Sequence, residues 1–343
     1  MDTLDKYCLY FSTYLTHRHK AVYKDAPPFQ LYTKCLQTHG SESMKCILHI
    51  GTEKTGTTAI QHFLDENRSL FHSHGILYTK SAGATNNRGL SVAAYDLSRR
   101  DDYTKSHSLR TDEQLSKHQD RIIDDLRIEI TKTEGVDTVI FSSEHIHSRL
   151  RTDSEVERLH SILKSLGFKK IFVIIYLREQ VESVTSLYST AVLYGGRTTL
   201  PPAPNEEEVW NNFCDHKESV LRYIRVFGHS FVKPRLFSKD CLLDSSIIMD
   251  LIHTAGLSVP KNELKLPSSR MNESISSLGL EVLRRLNLLQ PKWSDDGTEN
   301  PRMYDIPEIF RSVFTNGKKF RISRELEVQY RSSYSASNEW VRR

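Results

Sequence analysis

The sequence predicts an α/β fold, a P-loop NTPase-like three-layer sandwich with a central parallel sheet and a helical C-terminal half. Short apolar runs alternate with amphipathic helical patterns from residue 45 to residue 194, an order typical of a parallel sheet covered by helices. A glycine-bounded loop, 51–58, follows the first apolar run. Beyond residue 205 the pattern is mostly helical. Together these observations place candidate sites at the carboxyl ends of the strands.

Four short runs predict the strands, and the most apolar of them, KIFVIIYL, is typical of a strand buried on both faces. The expected strands are 45–50, 75–78, 136–141 and 170–177. Residues 98–110 are polar and predict a loop, and a capping box of Thr111 and Gln114 starts the helix after it. The other expected helices are 60–70, 154–166, 181–194, 206–227, 245–256, 272–289 and one after the basic turn 316–321.

Residues 1–43 differ from the rest, because they are rich in aromatic residues and lack a sustained period. A strand-like run follows Met44 directly. We therefore expect 1–43 to be an N-terminal appendage, with Met44 as a candidate natural start, and 44–343 to be a single P-loop domain. A helix packed on that domain is the alternative for the first segment.

Composition narrows the function classes. The 343 residues carry 47 Lys and Arg against 43 Asp and Glu, a net charge of +4. This balance argues against a nucleic-acid coat protein but leaves room for a local anion pocket. We expect no transmembrane helix and no secretory signal. Five scattered cysteines form no CxxC pair and no zinc spacing, which favours reduced thiols in a cytoplasmic protein: Cys8, Cys35, Cys46, Cys214 and Cys241.

The loop Gly51-Thr52-Glu53-Lys54-Thr55-Gly56-Thr57-Thr58 has two glycines five apart, after a strand and before a helix. Backbone N–H groups and the helix N-terminus then face one point, which suits a phosphate. A kinase-type P-loop needs a lysine directly after the second glycine. Thr57 stands there, and the lysine is Lys54, within the loop. A glycine-rich turn without a ligand is the alternative.

The segment Leu48–Gln61, with its KTGTT core, resembles the 5′-phosphosulfate-binding loop of sulfotransferases, in particular bacterial-type carbohydrate sulfotransferases and the heparan sulfate N-sulfotransferases. That family uses 3′-phosphoadenosine 5′-phosphosulfate (PAPS) as donor and releases adenosine 3′,5′-bisphosphate (PAP). The resemblance implies transfer of a sulfuryl group to a hydroxyl or amine of a carbohydrate or glycolipid. It also implies a set of donor-binding residues: Thr52, Glu53, Lys54, Thr55, Gly56, Thr57 and Thr58.

Two later motifs extend the resemblance. Arg178 closes the buried strand and Ser186 lies eight residues on, as in the pair that holds the donor's 3′-phosphate in the family. Arginine suits a phosphate because its planar fork offers several donors. The turn at Gly317, Lys318 and Lys319 loosely resembles the C-terminal nucleotide loop of N-sulfotransferases. A surface salt bridge and a solvated basic turn are the respective alternatives.

The candidate base follows the strand 136–141. Sulfuryl transfer needs a group that takes the acceptor's proton, a contribution of about 10²–10⁴-fold. The resemblance places that group here, where Glu144 is the first candidate and His145 the second, ahead of His147. Lys54 is expected to neutralise charge on the leaving oxygen. No metal site is expected.

Two other functions stay open on the residues alone. A P-loop small-molecule kinase or NTPase would use Glu144 as its magnesium-side acid, but it lacks the lysine after Gly56. A non-catalytic nucleotide-binding protein would bind without turnover. For a sulfotransferase, the polar stretch 84–110, with Asn86, Asn87 and Arg88, and the loop 195–208 are expected to line the acceptor. The sequence leaves the oligomeric state open.

Overall fold

The computed structural model describes residues 44–267, 275–294 and 298–343. The expected appendage 1–43 and the first two cysteines lie outside the described residues. Within these ranges, no helix has both the length and the hydropathy needed to cross a membrane. Cys46, Cys214 and Cys241 are free thiols.

Five parallel strands form the sheet, in the order β2-β3-β1-β4-β5. They are β1 (Lys45–His49), β2 (Ile76–Tyr78), β3 (Thr138–Ser142), β4 (Lys170–Leu177) and β5 (Val232–Leu236). The central strand β1 pairs with β3 on one side and β4 on the other, with Leu48 opposite Phe141 and Val173. The predicted fold class, α/β with a central parallel sheet, is confirmed.

Helices cover both faces of this sheet, because alternate residues of each strand point to opposite sides. Cys46 and Leu48 of β1 belong to one apolar cluster, and Ile47 belongs to another. The helices are α1 (Thr57–Glu66), α2 (Arg68–Ser73), α3 (Arg88–Ala93), α4 (Asp102–Ser106), α5 (Asp112–Lys132), α6 (Glu144–Arg149), α7 (Asp153–Ser165), α8 (Gln180–Leu193), α9 (Glu208–Cys214), α10 (His216–Phe227), α11 (Ile247–Ala255), α12 (Ser277–Leu289), α13 (Arg302–Val313), α14 (Arg324–Ser333) and α15 (Ser335–Arg342).

The first face is covered by α3, α5, α6, α7 and α10. The second is covered by α1, α2 and α11. This division gives the three layers that the alternation of strands and helices predicts. In the C-terminal half, α8 is the shared support. One side of α8 packs on α9 and α14, and the other packs on α12.

Four predicted strands are confirmed, but β5 was not predicted from the sequence. This strand contains Pro234 and lies at the edge of the sheet, beside β4. Proline removes a backbone donor, so it is tolerated at an edge and makes the segment look unlike a strand in sequence.

One helix prediction and one loop prediction were wrong in detail. The helix expected at 206–227 is two helices, because Asp215 leaves the helical conformation and its side chain accepts a bond from the Glu218 N–H to start α10. The loop expected at 98–110 contains α4, whose capping box is formed by Asp101 and Thr104. In both places a capping residue starts a new helix, and hydrophobic periodicity alone does not show where that helix begins.

Candidate active site

The loop after β1 has an unusual backbone. Gly51, Lys54 and Gly56 all have positive φ, at 89°, 67° and 78°. Positive φ is easy for glycine and uncommon for lysine, and such residues cluster at functional sites. The loop is fixed to β4, because Tyr176 donates its N–H to the Gly51 carbonyl (2.5 Å) and accepts from the Thr52 N–H (2.8 Å).

The same backbone leaves a row of donors free. Among the described residues, the N–H groups of 53–56 have no hydrogen-bond acceptor. The first N–H groups of α1 continue this row, because the first turn of a helix has no internal acceptors. Gly56 is the N-cap of α1 and makes no side-chain cap. This arrangement fits a phosphate or phosphosulfate group.

The side chains of the loop divide into two groups. The Thr52 hydroxyl donates to the Tyr176 carbonyl, and the Thr55 hydroxyl donates to the Thr52 carbonyl, so both stabilise the loop itself. Thr57 is buried and Thr58 is exposed at the start of α1. Of the loop's side chains, Lys54 offers the cation suited to an anion.

The Lys54 ammonium has no ion-pair partner among the described side chains. Burial lowers its pKa below the usual range; Glu53 opposes this, whereas the guanidiniums of Arg178 and Arg311 add to it. Three cations therefore lie near one another at the loop. A dianion bound there would relieve their mutual repulsion, which is a physical reason for Lys54 to prefer an occupied site.

Glu144 begins α6, at the carboxyl end of β3, and lies against the loop. A Cβ atom on Gly51 would lie only 3.0 Å from both Cα and Cβ of Glu144, so the backbone of the loop and the candidate base touch. Two amides hold one oxygen of this carboxylate. Gln61 of α1 donates to Oε2 at 2.8 Å, and Asn86 donates to the same oxygen at 3.0 Å.

His145, the second candidate base, lies among positive charges. Burial lowers its pKa to about 3, and the guanidiniums of Arg88 and Arg149 add to this effect. The ring is therefore neutral at pH 7, and its protonated form is strongly disfavoured. Burial also lowers the pKa of His147 to about 3, and its Nε2 lies 2.9 Å from the Ser219 hydroxyl, so this ring packs against α10.

A paired charge network surrounds His145. Arg149 lies 3.6 Å from a Glu53 carboxylate oxygen, 3.7 Å from Asp101 and 3.8 Å from Asp102. Arg88 pairs with Asp102 at 2.8 Å. Burial raises the pKa of Glu53, and Arg149 opposes this. Glu53 therefore faces the network rather than the row of free N–H groups.

Asn87 is a correction to the expected acceptor wall. Its side chain is buried and fully bonded: Nδ2 donates to the carbonyls of Thr79 and Gly83, and Oδ1 accepts from the Ser142 N–H. Asn87 thus fixes the turn 86–88 at the end of β3. Its neighbours Asn86 and Arg88 are the residues of this turn that remain available to a substrate.

Arg178 lies on the other side of the loop. Its guanidinium donates to the Lys54 carbonyl (3.1 Å) and to the exposed Glu182 carboxylate (3.0 Å). Arg178 and the backbone of Lys54 are therefore in direct contact. Ser186 lies two turns into α8 and is half-buried, with no hydrogen-bond partner among the described residues.

The basic turn also lies beside α8. Phe320, next to the turn, packs on Tyr188 with ring centroids 4.4 Å apart. Gly317 has φ of 109°, the Lys318 carbonyl accepts from the Ser277 N–H, and the Lys319 ammonium donates to the Thr315 carbonyl. Lys318 is exposed and has no ion-pair partner among the described residues.

The structure thus brings Lys54, Glu144 and Arg178 together at one edge of the sheet. Three residues at this site were not predicted from the sequence: Gln61, Arg149 and Arg311. Gln61 lies on the first helix after the loop, four residues beyond Thr57. Its position in the sequence was therefore enough to identify it as a candidate site residue. The other two reach the site only through tertiary packing.

No family profile matches this sequence, and no curated protein matches it. Solved structures similar to the chain include a sulfotransferase from Alicyclobacillus acidocaldarius (18% identity, TM-score 0.39, covering 65% of this chain and 86% of that one). Others are the sulfotransferase domain of the Synechococcus PCC 7002 olefin synthase (14%, 0.31, 87% and 96%) and the PezAT toxin–antitoxin system of Streptococcus pneumoniae (13%, 0.30, 80% and 89%). At these scores the function rests on the site itself.

Proposed function

We propose that this chain transfers a sulfuryl group from PAPS to a hydroxyl or amine of a carbohydrate or glycolipid acceptor. The observation that carries the proposal is the row of N–H groups without acceptors at 53–56, continuous with the N-terminus of α1 and beside Lys54. The motif supports sulfuryl rather than ATP-dependent phosphoryl transfer, because Thr57 stands where a kinase loop has lysine. Its resemblance to the 5′-phosphosulfate loop supports PAPS as the donor.

The residues of the site have distinct roles in this proposal. PAPS supplies an activated sulfuryl group: a sulfur–oxygen or sulfur–nitrogen bond forms to the acceptor as the bond to the leaving phosphate breaks. Glu144 takes the acceptor's proton. Lys54 and the N–H row stabilise the negative charge on the leaving phosphate oxygen. Arg178, Ser186 and the turn 317–319 hold the 3′-phosphate.

Glu144 is preferred to His145 as the base for an electrostatic reason. Its Oε2 is fixed by the amides of Gln61 and Asn86, which orients the carboxylate beside the loop. Proton transfer to His145 would create a third positive charge beside Arg88 and Arg149. The proposed location is the cytoplasm, which the small number and the scattered positions of the cysteines favour.

Titration calorimetry with PAP, and separately with ATP and Mg²⁺, tests the donor site. We expect micromolar binding of PAP and little binding of ATP. Arg178→Ala should weaken PAP binding about tenfold to a hundredfold, as for the loss of hydrogen bonds to a charged group. Arg127→Ala is the matched control, because Arg127 is an exposed arginine of α5 paired only within its helix.

The alternatives give different outcomes. Preference for ATP with Mg²⁺ would favour a kinase or NTPase, and absence of binding to either nucleotide would refute the proposal. PAP binding without transfer of label from ³⁵S-PAPS to any sugar in a broad acceptor panel would support a non-catalytic binding protein.

A further inference from the structure

A polar cavity lies between α9, α10 and the turn that follows α6. Its volume is about 160 Å³, roughly the share of five water molecules in the liquid. Three of the residues that line it are buried: Asn212, Ser219 and Arg222. Neither Glu144 nor the loop 51–58 lines the cavity, so the proposed reaction leaves its chemistry unassigned.

Arg222 brings a buried positive charge to this cavity. Its Nη1 donates to the Leu150 carbonyl (3.3 Å) and to Asn212 Oδ1 (2.7 Å), which uses both hydrogens of that nitrogen. Among the described residues, Nε and Nη2 have no acceptor and the side chain has no ion pair. Neither nitrogen is fully enclosed. The Nε–Nη2 edge of an arginine is suited to hold a carboxylate through two parallel hydrogen bonds.

Arg151 adds a second guanidinium, from the turn after α6. Its Nε donates to the Ser148 carbonyl at 3.3 Å, and its two terminal nitrogens have no acceptor in the described part of the chain. Burial lowers the pKa of this side chain, and the guanidiniums of Arg99 and Arg149 add to the effect. A negatively charged group in the cavity would therefore be stabilised by two arginines.

Two carboxylates of the lining also lack a counter-ion. Asp215 Oδ1 accepts from the Glu218 N–H, whereas its Oδ2 has no partner among the described residues. Glu208 is exposed and makes no ion pair within the same ranges, and only Glu218 is paired, with Arg225. Because Arg222 is buried and Glu208 is exposed, positive charge lies at the buried end of the cavity and negative charge at its open end.

This separation of charge limits what the cavity can hold. A simple anion would pair with the arginines but would lie beside two carboxylates, and a simple cation would meet the reverse. We propose that the cavity binds a small zwitterion of the size of a short amino acid, with its carboxylate on the free edge of Arg222 and its ammonium group towards Asp215 and Glu208. This inference does not depend on the proposed function.

The cavity lies at the opposite end of α6 from Glu144. Asn212 Nδ2 donates to the His147 carbonyl at 3.3 Å, and Arg222 donates to the Leu150 carbonyl, so residues of the cavity hold the last turn of α6. The helix has six residues and is therefore about 9 Å long. The zwitterion site is thus separate from the donor loop, and PAP should not compete for it.

Ligand-observed NMR titrations at pH 7 with L-alanine, acetate and ethylammonium test the proposal, because alanine combines the two charges that the other probes carry singly. We expect alanine to bind about tenfold more tightly, or better, than either single-charge probe. Its affinity should be unchanged by saturating PAP. Acetate binding as tight as that of alanine, absence of alanine binding, or displacement of alanine by PAP would each overturn the proposal.

Glu208→Gln tests the open end of the cavity. It should weaken alanine binding about twofold to fivefold, as for the loss of an exposed ion pair, and leave acetate binding unchanged. Glu207→Gln is the matched control, because Glu207 is an exposed neighbour that does not line the cavity. Equal losses in the two variants would contradict the proposed ammonium position.

Arg222→Lys tests the buried end, since lysine keeps the charge but lacks the fork of donors. Binding of both alanine and acetate should fall about tenfold. Because Arg222 also supports α6, Arg151→Gln is a second variant with the same expected direction, and Arg127→Gln on the surface of α5 is its control. Unchanged alanine binding in both cavity variants would refute the proposal. These titrations use no nucleotide, so failure of PAP binding would bear only on the proposed function.

Discussion

The basic side chains on the two sides of the loop differ in how far they are paired with carboxylates. On the Glu144 side, Arg88 and Arg149 are surrounded by carboxylates at 2.8–3.8 Å. On the Arg178 side, Lys54 lacks an ion pair among the described side chains, and the acidic partner of Arg178 is the exposed Glu182 in the first turn of α8. The first side is neutralised before any ligand arrives, whereas the second keeps positive charge available. This difference matches a neutral acceptor on one side and an anionic donor on the other.

The largest effect is expected from Glu144→Gln, which keeps the shape of the side chain but removes the proton acceptor. Turnover should fall about 10²–10⁴-fold while PAP affinity stays unchanged, since the change is confined to the acceptor side. The measurement is transfer of ³⁵S label to an acceptor found in the panel, with calorimetry of PAP beside it. Full activity of this variant together with an inactive His145→Ala would reassign the base.

Lys54→Ala removes the central cation of the donor side. We expect kcat to fall about 10²–10³-fold, as for the loss of one preorganised charge-stabilising group, with a smaller loss of PAP affinity. Single-turnover rates with saturating PAPS, compared with PAP titrations, separate the two effects. An affinity loss as large as the rate loss would show that Lys54 acts equally in the ground state.

Acidification should destabilise the acceptor side through His145. Its folded-state pKa of about 3 lies below the unfolded value of 6.5, so the unfolded chain takes up a proton first as pH falls. The contribution of the neutral His145 ring to the free energy of unfolding is therefore fully present above pH 6.5. It is lost as the pH falls from 6.5 to 3, by up to about 1.4 kcal/mol per pH unit. Urea unfolding at pH 6.5 and 4.5 should show a weaker pH dependence in His145→Asn; an unchanged dependence would contradict the buried neutral ring.

The smallest effect is expected from Lys318→Ala. Its side chain is exposed, and exposed charges contribute little because water and salt screen them. PAP affinity should fall about twofold to fivefold at low salt and become equal to that of the unmodified chain at high salt. A larger loss that persists in high salt would show that the basic turn closes over the nucleotide.

The sequence was sufficient to predict the position of those parts of the candidate site that are contiguous in the chain. The loop 51–58, its strand and its helix are contiguous, and Arg178 directly follows a strongly apolar strand, so pattern and position predicted both. The sequence was insufficient to predict contacts that tertiary packing makes between residues far apart in the chain. Gln61 and Asn86 meet Glu144 across 83 and 58 residues of sequence, and no local pattern encodes that meeting. β5 was not predicted because it contains Pro234, and proline is untypical of strands.

The contact between Gly51 and Glu144 has a consequence for anyone redesigning this protein. Any side chain at position 51 would press on the backbone of Glu144, and its positive φ already disfavours other residues. The distance between the loop 51–58 and the candidate base is thus fixed by the absence of a side chain at Gly51. The two cannot be adjusted separately, so substitutions intended to change acceptor preference are better made at Arg88, whose side chain pairs with Asp101 and Asp102.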